Sequence, residues 1–137
     1  MTRRVRCLFL EFNWWETARP LTYSVQHGLD MALALNCEFA NFYTAMAYPG
    51  SALYATAQRL GWALPERWSG YSQHAVDTRP LPTKYCSAAE VLRFRDEAFT
   101  TYFTSRRYLD MVTTKFGPAA ADEIRAMTAH RLERRHA

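Results

Sequence analysis

Residues 38–47 read EFANFYTAMA, a stretch rich in Phe, Tyr and Thr and too short to make another long helix. It predicts a β-strand buried on both faces, as in a parallel sheet. Such a strand cannot stand alone. Its backbone N–H and C=O groups need neighbouring strands, and each face needs a cover. Before it, residues 22–36 carry Val25, Leu29, Ala32, Leu33 and Leu35 at helical spacing, with Asn36 as a stop. Gly28 weakens that helix by about 1 kcal/mol relative to alanine. After the strand, Tyr48, Pro49, Gly50 and Ser51 turn the chain, and Ser51 can cap a short helix carrying Leu53, Tyr54, Ala57 and Leu60. Gly61 ends it. Helix, strand, turn and helix make one step of an α/β fold. Only one further strand is legible, at residues 5–12.

Residues 62–85 show no periodicity and carry Pro65, Gly70, Pro80 and Pro82, with Trp62, Trp68 and Tyr71 among them. A structureless connection of that length in a compact domain is uncommon and often functional. Ser87 and Glu90 then have capping-box spacing. The helix they open places Val91, Phe94, Ala98, Phe99 and Tyr102 on one side. A second helical piece covers about 106–115 and stops at Gly117. Pro118 opens a last helix with Asp122 and Glu123 early and Arg131, Arg134 and Arg135 late, as the helix dipole favours. Ile124, Met127 and Leu132 are its predicted buried stripe.

With 137 residues, 49% of them apolar and 15% aromatic, the chain suits one modest packed domain rather than a disordered one. The formal charge of +4 is mild, and its basic residues gather near the ends without any nucleic-acid-reading motif. Cys7, Cys37 and Cys86 are odd in number and widely spaced, which reads as reduced thiols rather than a disulfide framework. Residues 3–12 are too short and too charged to span a bilayer, so a soluble, cytoplasmic protein is predicted. The adjacent Trp14 and Trp15 beside Arg19 can stack on a ligand or pack against a neighbouring surface.

The run FANFYTAMAYPGSALY at 39–54 looks like the sixth strand of radical S-adenosylmethionine enzymes and the turn after it. The continuation sharpens the likeness: GW at 61–62, LPE at 64–66, WSGYSQH at 68–74, PLPTK at 80–84, VLRFRDEAF at 91–99 and KFG at 115–117. Together these resemble the C-terminal portion of radical enzymes that contain a cobalamin (B12)-binding domain, over roughly residues 24–135. The resemblance implies an α/β fold, the C-terminal piece of a partial (β/α) TIM-like barrel followed by a helical appendage. The chain would divide into a divergent segment 1–21, the last helix–strand–helix unit 22–61, an irregular loop 62–86 and the appendage 87–137. The chemistry implied for the family is reductive cleavage of S-adenosylmethionine at a 4Fe–4S cluster held by a CxxxCxxC loop, with cobalamin methyl transfer in some members.

That cysteine motif is missing here. The three cysteines do not match it, so no metal ligand, no catalytic residue and no cofactor is expected of this chain alone. The resemblance therefore implies a truncated C-terminal fragment, inactive by itself. The alternative is a non-catalytic interaction module that offers an open strand edge to a partner chain carrying the rest of the barrel.

Several residues remain as binding candidates. Asn41, Tyr43 and Ala45 form one alternating set on the strand, facing either a ligand site or simply the core. By resemblance, the backbone from Ala45 to Tyr48 lies near the adenine of S-adenosylmethionine. In the long loop, Tyr71, Gln73 and His74 are candidates for contact with a substrate, His74 as a proton donor or as a structural side chain. Arg79 and Lys84 can meet a phosphate or carboxylate. The four histidines show no metal-ligand spacing.

Overall fold

The computed structural model describes the backbone of residues 7–12 and 21–25 and the complete residues 26–83 and 85–137. The expectations for Trp14, Trp15, Arg19 and Lys84 lie outside the described residues.

Strand β1 (Cys7–Phe12) is followed by helix α1 (Leu21–Leu35) and strand β2 (Phe39–Thr44). The strands pair in parallel, from Cys7 opposite Phe39 to Phe12 opposite Thr44, and α1 forms the crossover that parallel strands require. Asn36 ends α1 with φ 49°, a left-handed position that asparagine tolerates better than most residues. Helix α2 (Ala52–Arg59) is capped by Ser51, whose hydroxyl accepts the Tyr54 N–H at 3.1 Å. The long connection holds one 3₁₀ turn, Trp68–Tyr71.

Helix α3 (Ala88–Thr104) opens with the reciprocal Ser87–Glu90 capping box. Helices α4 (Arg106–Phe116) and α5 (Pro118–Ala129) meet at Gly117, whose φ of 94° lets the chain turn at once into Pro118. Helix α3 packs on β2 and against α1, α4 and α5, so one core runs from Leu29 and Phe42 through Val91, Ala98 and Tyr102 to Tyr108 and Ala121.

At the centre of this core, Tyr102 is fully buried, with its ring 5.6 Å from Phe42 and 5.1 Å from Tyr108. Its hydroxyl donates to the Cys37 carbonyl at 2.5 Å, and the Tyr108 hydroxyl donates to the Glu38 carbonyl at 3.1 Å. Lys115 pairs with the buried Glu38 carboxylate. Three side chains from the C-terminal helices thus fix the α1–β2 junction.

The predicted piece of a (β/α) barrel is not what forms. Among the described residues there are five α-helices and a single sheet of two strands, so the molecule is mostly helical and no wall of strands exists to curve. The strand is not buried on both faces either. Ala40, Phe42 and Thr44 are buried, while Phe39 and Tyr43 remain 57% and 37% exposed, because α3 covers one face. The last helix also differs. It stops at Ala129, so Leu132 lies beyond it, and Met127 and Leu132 are exposed instead of forming a buried stripe. Its late arginines leave the helix and serve elsewhere.

Candidate functional site

In parallel α/β units, ligands gather at the C-terminal ends of strands. Here the loop after α2 folds over that end of β2. The Gln73 side-chain amide accepts from the Thr44 N–H and hydroxyl, both at 3.0 Å, and donates to the Thr44 carbonyl at 2.9 Å. One glutamine thereby does for Thr44 what an adjacent strand would do. The Leu81 N–H donates to the Ala45 carbonyl at 3.1 Å, and Arg95 Nε donates to the Phe42 carbonyl at 2.9 Å. Backbone groups that a further strand could have paired with are occupied, so the open edge expected of β2 is closed at Phe42 and Thr44.

Arg95 is buried within α3 and turns its remaining donors to Asp96 (2.8 Å) and to Nδ1 of His74 (3.4 Å). Asp96 is gripped from its other side by Arg134, whose Nε and one terminal nitrogen contact both carboxylate oxygens at 2.8 Å. The same guanidinium donates to the carbonyls of Gln73 and Ala75 and to the Thr78 hydroxyl, each at 2.9 Å. Two-pronged arginine–carboxylate contacts of this kind combine charge with fixed geometry. Residues 130–137 therefore form a strap pinned onto the loop by one side chain.

The electrostatics follow from these contacts. Burial alone would raise the Asp96 carboxyl, but hydrogen bonds from Arg134 and Arg95 outweigh it and hold the group below its ordinary range. Partial desolvation, then the charges of Arg95 and Arg134, push His74 below the usual histidine value against the pull of Asp96. Both effects favour the neutral imidazole. The His74 ring contacts the Arg95 guanidinium, and its partners brace the loop.

The predicted residues separate into groups. Tyr48 and Tyr71 come together, their rings stacked at 5.7 Å, with Trp68 at 5.8 Å from Tyr71. Gln73 and His74 belong to the brace, and Ala45 is buried beside it. Asn41 and Tyr43 share the strand face away from α3, and among the described residues no hydrogen bond or ring contact ties them to Tyr48, Tyr71, Gln73 or His74.

Sequence reading missed Arg95, Asp96 and Arg134. One signal was present: Val91, Arg95, Ala98 and Tyr102 share a helical face, and a charge on that apolar stripe marks a buried ionic partner.

The cluster that the resemblance implies does not fit these residues. Cys37 is buried, and burial followed by the Glu90 charge pushes the Cys86 thiol up, away from the thiolate that iron requires. Among the described residues no group of three or more His, Cys, Asp or Glu side chains could hold a metal ion, and no helix is long and apolar enough to cross a membrane.

The loop's floor is Gly70. A β-carbon there would lie 2.6 Å from Pro65 Cβ and 3.2 Å from the Asp77 carbonyl oxygen, neither of which is the end of a flexible side chain. Gly70→Ala is expected to cost about 1–3 kcal/mol by overpacking. Chemical denaturation measures this, and an unchanged midpoint would show that the loop yields freely.

Comparison of the chain with protein-family models, curated proteins and solved structures returns no match.

Proposed function

We propose that this chain is a non-catalytic module, related to the cobalamin-binding radical S-adenosylmethionine enzymes, that docks through the β2 face onto a polypeptide carrying a CxxxCxxC cluster loop. The observation that carries the reading is the exposure of Phe39 and Tyr43, with half-buried Asn41 between them, on one face of a parallel strand pair. Parallel sheets are ordinarily covered on both faces. Aromatic side chains flanking a polar one also suit the centre of a protein interface. The partner's identity rests on the sequence likeness at 39–54, 61–74 and 91–99. Because side chains close the β2 edge at Phe42 and Thr44, the contact is through the face and not by strand addition.

The test is anaerobic purification of the tagged full chain from its source cells, followed by cross-linking mass spectrometry and iron analysis. Cross-links near Tyr43 to a polypeptide with the cysteine triplet, lost in Tyr43→Glu, support the module. A stoichiometric cluster on this chain alone, or release of methionine and 5′-deoxyadenosine by it, overturns the reading. So does a complex that forms equally well with Tyr43→Glu.

A further inference from the structure

We infer that the pocket between the 3₁₀ turn and the C-terminal strap binds a compact dianion of the phosphate class. The pocket has a volume of about 230 Å3 and is walled by Arg67, Arg79 and Arg135 together with His136, Glu66 and Asp77, over Gly70. That volume is below the roughly 300–1,000 Å3 usual for cofactor and drug-sized ligands, which selects a small group.

The walls are built rather than accidental. The Arg79 N–H donates to the Gly70 carbonyl at 3.0 Å, which sets Arg79 against the turn. The Arg135 N–H donates to the Val76 carbonyl at 2.8 Å, immediately after the Arg134 anchor, so the strap delivers Arg135 and His136 to the rim. Gly70 leaves the floor low, as the close approach of Pro65 and the Asp77 carbonyl requires.

Charge then decides the ligand. Three arginines and two acidic residues line the pocket, an excess of one positive charge before His136 is counted. Arg67, Arg79 and Arg135 form no ion pair among the described residues, although Glu66 and Asp77 share the pocket with them. Asp77 is instead occupied by the Ser69 hydroxyl at 2.6 Å. The guanidinium of Arg79 makes one long contact, 3.5 Å to Nδ1 of His136. Three arginines line one concavity, and Arg67 and Arg135 are near enough to Asp77 to lower its carboxyl without bonding to it, so their donors match the several acceptor oxygens of a phosphate better than a single carboxylate does.

The test follows amide resonances of Gly70, Val76 and Asp77 in the full chain during titration with inorganic phosphate, at ionic strength held constant with sodium chloride. Glycerol 3-phosphate is titrated in a parallel arm. Saturable shifts confined to these residues are expected, with binding about tenfold weaker in Arg135→Gln and in Arg67→Gln. Both arginines are exposed and make no side-chain bond, so spectra elsewhere should not change. Tighter binding of glycerol 3-phosphate assigns the site to phosphate monoesters, and equal binding assigns it to the free ion. Linear drift that matches the sodium chloride control, or wild-type affinity in both variants, overturns the inference.

Discussion

Arg95→Leu is expected to lower the free energy of unfolding by about 3–5 kcal/mol, read as a shifted urea midpoint. The loss does not come from packing, since leucine fills much of the space left by the stem. It comes from what is left behind. The Phe42 carbonyl loses the guanidinium that satisfies it inside the molecule, and Asp96 keeps one of its two arginines. Arg95→Lys should recover only part of the loss, because a single ammonium cannot span a carbonyl, a carboxylate and an imidazole as a planar fork does. A loss under about 1 kcal/mol for Arg95→Leu would mean that water or Gln73 replaces the lost donor.

The same variant has a pH signature. The Asp96 carboxyl sits below its unfolded value near 3.8. Its contribution to stability is therefore complete above that value and lost as pH falls through the lower folded value. With Arg95 removed the gap narrows, so the acid limb of the stability profile should flatten. His74 acts in the same direction at higher pH. Its folded value lies below the unfolded 6.5, so acidification from there downward favours the unfolded chain. Arg95→Leu removes one of the two charges that depress it, and histidine NMR titration should show the value rising.

Tyr102→Ala is the second large effect, expected at about 3–5 kcal/mol because it empties the centre of the core. The ring contacts Phe42, Phe103 and Tyr108, and the side chain is fully buried. Tyr102→Phe separates the two roles of the residue. It keeps the rings and deletes the donor to the Cys37 carbonyl, for an expected cost of about 1–3 kcal/mol. If the phenylalanine and alanine variants unfold at the same midpoint, the hydrogen bond rather than the packing holds this region.

Local structure was legible in the sequence where one short segment carries the whole signal. The Ser87 and Glu90 box, the Ser51 cap, the Asn36 stop and the Gly117–Pro118 junction are set by neighbours within a few residues, and each is found at its place. What failed was every inference that needed to know what lies across the strand. The composition of 39–44 is equally compatible with one covering layer or two, so the burial of Phe39 and Tyr43 was overestimated, and the barrel implied by the resemblance had no composition signal to check it. The site suffered for the same reason. Gln73 and His74 stood out in an irregular loop, but their partners Arg95, Asp96 and Arg134 lie 21 to 61 positions further on, where local pattern carries no information about them. Arg134 was misread most plainly, because a basic residue after a helical pattern looks like dipole compensation.

The brace around β2 also sets an order of events during synthesis. The strand is translated long before the residues that complete it, since Phe42 waits for Arg95 and the Glu38 carboxylate waits for Lys115, 77 positions later. At about 5–20 residues per second, that interval leaves an aromatic strand without its final contacts for several seconds on the ribosome. During that interval this strand is the natural point of contact for nascent-chain chaperones.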